Sequence, residues 1–133
     1  MPSQAARRTF PPFIRVSLIV TAIILGAGYA LGPDSWHSSS DFVVLESISW
    51  FPIRAWGFCF MFAGLLMTVT RLWGYGLAVV LWTTWGLGLL VTALTDQLSG
   101  WGSAVWPFFF AAVCGYEVYR WGQHERVRLR AGR

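Results

Sequence analysis

The chain of 133 residues contains no lysine, and all ten of its basic residues are arginine. Charged residues make up only 12% of the sequence, against about 25% in ordinary soluble domains. Apolar residues make up 56%, and a chain this short has too little interior to hide so much apolar surface from water. The scarcity of charge therefore argues against a soluble domain and favours lipid as the surrounding medium.

Cysteine and histidine are also scarce, with two of each. Cys59 and Cys114 fall inside apolar stretches, at depths that differ by about 10 Å when 1.5 Å is counted per residue. Bridged Cα atoms must come within about 7 Å, so we expect two free thiols that act as small apolar filler. His37 and His124 lie outside the apolar stretches, where neither could ligate a haem inside the membrane.

The motifs of common enzyme sites are missing as well. The sequence has no phosphate-binding loop, no Ser/His/Asp or Cys/His set, no metal-binding cluster and no paired carboxylates. We therefore predict that the protein is not an enzyme and holds no cofactor or metal. A lone transporter is also disfavoured, because the apolar stretches carry no charged or broken-helix site of the usual kind.

What the sequence does have is four long stretches without charge, separated by Asp34, Arg54, Arg71 and Asp96. A spanning helix needs about 20 mostly apolar residues, and its backbone must satisfy its own hydrogen bonds in hydrocarbon. The stretches predict an all-α membrane protein, an antiparallel four-helix transmembrane bundle forming one domain over residues 1–133. The predicted spans cover about residues 14–32, 51–70, 73–95 and 101–121. Pro107 is expected to kink the fourth span or start a local irregularity.

Nine of the ten arginines fall on one side of this four-pass arrangement, and the other side carries Arg54 and four acidic residues. Cytoplasmic loops are enriched in arginine and lysine, so both termini and the link at Arg71 are predicted to face the cytoplasm from the inner membrane. One alternative remains for the first span. Its basic start, apolar run and Gly28-Tyr29-Ala30 would also suit a cleaved signal peptide, which would leave three spans and a cytoplasmic tail.

The longest connection runs from about Gly32 to Trp50 and begins with a polar segment. It then places an apolar side chain at every third position, at Phe42, Leu45 and Ile48. We predict a short amphipathic helix in this first outer loop, lying on the membrane surface or over the bundle.

Charged residues near the ends of the spans are candidates for ion pairs: Arg54, Glu46, Asp96, Glu117, Arg120 and Arg71. On the outer side, Arg54 is predicted to pair with Glu46 or Asp96, with substrate binding as the alternative. On the inner side, Glu117 is predicted to pair with Arg120 three residues on or with Arg71. Because ionisable groups near a membrane interior are functional candidates, a proton relay at Glu117 is the alternative.

Small residues recur at helical spacing in every span. The glycines predicted to let helices pack closely are Gly26, Gly57, Gly64, Gly86 and Gly115. Such positions suit packing within one chain and self-association equally well. Five tryptophans directly precede a glycine, and four of the five lie near a span end: Trp56, Trp73, Trp85, Trp101 and Trp121. We interpret the pattern as an aromatic belt beside glycines that permit close packing.

The tail after Trp121 is rich in arginine and has Glu125 as its one acidic residue. We expect it to continue the fourth helix and to fray at Gly132. Arg126, Arg128 and Arg130 are predicted to contact anionic lipid headgroups, at about 1 kcal/mol each. The alternative is that they only set topology, and no nucleic-acid partner is expected because the arginines sit at segment ends.

Two stretches stand out: SWFPIRAWGFCFMFAGLLM over 49–67 and RLWGYGLAVVLWTTWGLGLL over 71–90. Together with the arginine-only basic set, they give a chain that resembles small four-pass membrane proteins of actinobacteria and their phages. Some phage proteins of that kind look like holins, which oligomerise in the inner membrane and permit lysis. The resemblance implies a holin-like protein that self-associates in the bilayer. The alternatives are an accessory module, for superinfection exclusion or within a larger membrane complex, and a small-solute channel or carrier.

Overall fold

The structure, a computed structural model, describes residues 12–33, 51–95 and 101–132, with the backbone but not the side chains of 101–104. Within these ranges the chain forms four helices: α1 over Pro12–Leu31, α2 over Ile53–Val69, α3 over Arg71–Thr95 and α4 over Trp101–Ala131. Helices that follow each other in the chain pack antiparallel, so the predicted all-α architecture of four antiparallel helices is confirmed. The predicted amphipathic helix of the first loop lies outside the described residues, as do Glu46 and Asp96.

Local sequence explains where α2 and α3 begin and end. Pro52 precedes α2 in an extended conformation, and its carbonyl oxygen accepts the N–H of Ala55 at 2.9 Å and of Trp56 at 3.2 Å. Thr70 alone separates α2 from α3, with φ −128° and ψ 112°. Its N–H donates to Leu66 O at 2.8 Å, and its own carbonyl accepts the N–H of Gly74 at 3.0 Å. A β-branched residue is well suited to this extended link, which turns the chain back within one residue.

The fourth helix differs from its predicted bounds at its C-terminal end. It continues past the predicted span end at 121 to Ala131, so the prediction that the tail extends the helix up to Gly132 is confirmed. Pro107 lies in the second turn and does not interrupt the helix. The Pro107 side chain packs at α3, where a Cβ built on Gly86 would lie 3.2 Å from Pro107 Cβ and 3.1 Å from Phe108 Cζ.

Two of the predicted packing glycines bring α1 and α2 into close contact. A Cβ on Gly26 would lie 2.6 Å from both Gly57 O and Met61 N, and one on Gly57 would lie 2.6 Å from Gly26 O. Two turns further along α2, a Cβ on Gly64 would meet Ile23 Cγ1 at 2.7 Å. The two backbones therefore touch, in the manner of small-residue interfaces between membrane helices.

The other glycines contribute unequally. A Cβ added to Gly74, in the first turn of α3, would clash with the backbone of Met67 at the end of α2. At Gly115, by contrast, the nearest atom to an added Cβ is Val79 Cγ2 at 3.8 Å, which is ordinary van der Waals contact. The α3–α4 interface at this position would therefore accept alanine, and Gly115 is not required for the close approach.

We expect Gly57→Ala to destabilise the folded protein by roughly 1–3 kcal/mol, the usual cost of forcing extra volume into a packed interior. The added methyl meets backbone atoms of α1, which cannot rotate away as a side chain could. The measurement is the midpoint of denaturation of the full chain in detergent micelles, followed by circular dichroism.

Gly28→Ala is the matched control, because it adds the same methyl to α1 where nothing lies within 4 Å. Alanine is the better helix former by about 1 kcal/mol, so this variant should be neutral or more stable. Equal midpoints for the two variants would contradict the backbone contact between α1 and α2.

Candidate functional site

The interior of the bundle is filled by aromatic rings from all four helices. The members of this aromatic cluster are Tyr29 of α1, Trp56 and Phe60 of α2, Trp82 and Trp85 of α3, and Phe110 of α4. Four of the six are at least 94% buried, namely Trp56, Phe60, Trp82 and Trp85.

Ring contacts run across the cluster without a gap. The Trp85 ring lies 4.9 Å from Tyr29, 5.9 Å from Trp56 and 5.7 Å from Phe60, measured between ring centroids. Phe60 lies 4.7 Å from Trp82, which in turn stacks on Phe110 at 4.9 Å and 27°. These distances are those of favourable aromatic pairs, worth about 0.5–1.5 kcal/mol each beyond burial.

The cluster corrects the interpretation of the Trp-Gly pairs as a boundary belt. Trp56 and Trp85 are 6% and 5% exposed and pack inside the bundle, so the belt is wrong for these two. Trp73 and Trp121 do turn outward, and the Trp101 side chain lies outside the described residues. A glycine after the tryptophan lets a neighbouring helix approach, as at Gly57, and the same approach encloses the adjacent indole. Trp82 and Trp85 share one helical face with Ala78 and Thr92. This spacing was the sequence signal that indicated their burial.

Polar groups are rare in this interior. Thr92 is the one buried polar residue of the described chain, and its hydroxyl donates to Gly88 O at 3.1 Å, within its own helix. The hydroxyl of Tyr75 is buried without a hydrogen-bond partner. Cys114 is buried, Cys59 is half-buried and both are free thiols. The described residues hold no group of three or more His, Cys, Asp or Glu side chains that could bind a metal.

The outer surface is apolar along every helix. On α3 the exposed apolar residues follow a seven-residue spacing, at Trp73, Val80, Leu87 and Leu94. On α2 they follow a four-three-four spacing, at Phe58, Phe62, Leu65 and Val69. On α1 and α4 the larger outward-facing residues include Phe13, Val16, Val20, Ile24, Val105, Trp106 and Phe109. Exposed apolar surface on this scale marks contact with a membrane or with other proteins.

Two of the described helices, α1 and α3, are long and apolar enough to cross a membrane by length and composition. The helix α2 is apolar but has 17 residues. In α4, the charges of Glu117 and Arg120 reduce the hydropathy of the C-terminal half. By composition alone, the chain is therefore a helical protein with two candidate membrane spans.

Arginines gather at one end of the bundle, where α1 begins, α2 joins α3 and α4 ends. Arg15 of α1 and Arg71 of α3 line one cavity of about 310 Å³ between these elements. Near the end of α4, three arginines are exposed: Arg126, Arg128 and Arg130. The negative end of the helix dipole stabilises cations at this position. Antiparallel packing thus places these five described arginines toward the same end of the bundle.

The predicted ion pairs stay predictions at both ends of the bundle. Glu117 is half-buried on α4, where Arg120 or Arg71 is its predicted partner. Arg120 places its guanidinium carbon 5.9 Å from the centre of the Tyr116 ring, within cation–π range. Arg54 is exposed at the start of α2, and its predicted partners fall in segments that are not described.

The chain was compared with known proteins at three levels: no family model, no curated protein and no solved structure matches it.

We expect Trp85→Ala to lower the free energy of unfolding by about 3–5 kcal/mol, as large-to-small changes of buried aromatic residues do. The indole contacts three other rings of the cluster, and its removal leaves a cavity between α1, α2 and α3. Trp73→Ala is the control, since it removes the same side chain from α3 where it is 72% exposed, and should change stability by about 0.5 kcal/mol or less. Denaturation in micelles measures both, and a larger loss for Trp73→Ala would refute the cluster's role.

Proposed function

We propose that the chain is a four-span protein of the inner membrane, with both ends in the cytoplasm, that acts by assembling with other helices inside the bilayer. The observation that carries the proposal is the distribution of polarity. The described interior is packed with aromatic rings, all four helices turn large apolar residues outward, and the charges collect at the ends. Such a molecule meets its partners through its outer surface.

Packing supports spanning roles for α2 and α4. If α1 and α3 cross the bilayer, α2 must lie at membrane depth, because its backbone touches α1 at Gly57 and one residue joins it to α3. Its 17 residues measure about 25 Å, near the lower limit for a span. The helix α4 is tied to α3 in the same way, through Phe110 on Trp82 and Phe108 beside Gly86.

Self-association of the holin kind is the leading form of this proposal. It rests on the resemblance to small phage membrane proteins and on the outer face of α3. The seven-residue spacing of Trp73, Val80, Leu87 and Leu94 is typical of a seam between crossing helices. Beside the seam, Gly76 has nothing within 4 Å of an added Cβ and lines a cavity of about 480 Å³ with Leu72 and Leu77. The seam forms an apolar ridge beside an open groove, and a second helix can pack against such a surface.

The same surface would also serve an accessory module docked on a larger membrane protein, which is the second candidate. A channel or carrier is the third, and the packed aromatic interior works against it. A polar path would have to form between copies rather than through one bundle. We further propose that Arg126, Arg128 and Arg130 lie at the anionic headgroups of the inner leaflet.

Topology offers a direct test of the four spans. Reporter fusions truncated after Arg71 and at the C-terminus should report the cytoplasm, and a fusion after Ser39 should report the outside. A C-terminus outside the cell would overturn the arrangement. A tag at the N-terminus decides whether α1 is a retained span or a cleaved signal, because only a retained span keeps the tag on the mature chain.

The holin-like role predicts an abrupt loss of membrane potential at a defined time after induced expression, measured with a potential-sensitive dye. Val80→Ala combined with Leu87→Ala should delay that loss and reduce cross-linked oligomers, because it flattens the seam on α3. Val20→Ala with Ile24→Ala is the matched control, since it trims two exposed residues of α1 and should leave the timing unchanged. Steady growth with intact potential would rule out the holin-like role and leave the accessory module.

A further inference from the structure

We propose that the cavity between the start of α1 and the link from α2 to α3 is a binding site for one anionic phospholipid, with the phosphate held by Arg15 and Arg71. This cavity is called the inner cleft below. The inference rests on the proposed membrane location and goes beyond it, because it assigns a defined lipid site distinct from the arginines of the tail.

Three helices build the inner cleft. Arg15, Val16 and Ile19 of α1 share one face and form one wall, and the last turn of α2 forms the opposite wall with Met67 and Val69. Arg71, the first residue of α3, closes the end. The cleft is open to the surroundings, and its volume of about 310 Å³ falls at the lower end of small-molecule sites, a size suited to a headgroup whose chains extend along the outer surface.

Charge makes the cleft selective for an anion. Arg15 and Arg71 line it, and none of its described lining residues is acidic. Glu117 and Glu125 of α4 are not among the residues that line it. Guanidinium groups bind phosphate oxygens with paired hydrogen bonds, so two of them on one cleft match a single phosphate.

The position of Arg71 on its helix strengthens this argument. It begins a helix of 25 residues, whose N-terminus carries partial positive charge and free N–H groups. A cation at that position is unfavourable by itself. The N–H of Gly74 is already taken by Thr70 O, which leaves the earlier N–H groups of α3 without partners in their own helix. An anion at the cleft would satisfy both the N-terminus and the arginine.

Topology alone does not explain this arrangement. The preference for cytoplasmic arginine requires only that basic residues lie on the inner side, and it places no two of them in one cavity. Arg15 is half-buried, and a partly desolvated cation needs a compensating partner. The one-residue link at Thr70 fixes where α3 begins relative to α2, and this places Arg71 in the same cleft as Arg15.

The apolar walls select the class of anion. Val16 and Val69 are 57% and 81% exposed beside the two arginines, and they continue onto the apolar outer surfaces of α1 and α2. A free phosphate would leave these walls uncovered, whereas a phospholipid places acyl chains along them. The chemistry therefore points to a lipid with net negative charge at its headgroup.

The test uses the full chain purified in an uncharged detergent and titrated with short-chain phosphatidylglycerol, with bound lipid counted by native mass spectrometry. We expect one tightly retained lipid per chain, and weaker retention of phosphatidylcholine with the same acyl chains. Arg15→Gln with Arg71→Gln should weaken phosphatidylglycerol binding by roughly tenfold or more, given about 1 kcal/mol for each arginine near a lipid surface.

Arg71→Gln alone guards against misfolding, since this exposed side chain lies outside the core and the variant should still lose affinity. Arg54→Gln is its matched control, because it removes an exposed arginine from the first turn of α2, at the other end of the bundle, and should leave the retained lipid in place. Equal losses in Arg71→Gln and Arg54→Gln would overturn the proposal in favour of general surface attraction. Equal binding of both lipids would overturn it too, as would displacement of the lipid by inorganic phosphate alone.

Failure of this inference can be told apart from failure of the membrane assignment. Extraction of cell membranes at alkaline pH should leave the wild-type chain and each of these variants in the pellet. A chain that stays in the pellet but retains no phosphatidylglycerol would overturn the lipid site alone. A chain released into the supernatant would overturn the four-span assignment and the lipid site with it.

Discussion

Aromatic contact in the centre of the bundle is the interaction on which the other features depend. In a bilayer the hydrophobic effect gives helices little reason to prefer each other over lipid, so association rests on dispersion and close packing. The rings of Trp56, Phe60, Trp82 and Trp85 supply large, rigid surfaces that meet at 4.7 to 5.9 Å across α2 and α3. Tyr29 and Phe110 extend the same contact to α1 and α4.

Such bulky side chains fill the interior only because the backbones approach closely elsewhere. Gly26 and Gly57 bring α1 and α2 into backbone contact, and Gly74 brings α3 against the end of α2. Large and small residues therefore alternate between the sides of one helix: α2 turns Gly57 and Gly64 to α1, and Trp56 and Phe60 to α3. The tight link at Thr70 fixes the register between the two interfaces.

A packed interior moves any function to the surface and the ends of the molecule. The described core offers no charged group and no cluster of ligating side chains, whereas the outside carries apolar ridges and grooves, and one end carries the arginines. This division is that expected of a protein whose partners are lipids and other helices.

The sequence by itself determined the helices, because charge and hydropathy change sharply where Arg15, Arg54, Arg71 and Asp96 bound apolar stretches. It also indicated the packing role of Gly26 and Gly57, since small residues at helical spacing are a local pattern. It failed at Trp56 and Trp85, where tryptophan suits both a membrane boundary and a crowded core.

Only the tertiary structure decided which face of each helix turns inward, that Gly115 is not a close contact, and that Arg15 and Arg71 share one cleft. These facts concern residues far apart in the chain. A single helix has many equivalent rotations about its axis in lipid, and only the neighbouring helices select one of them.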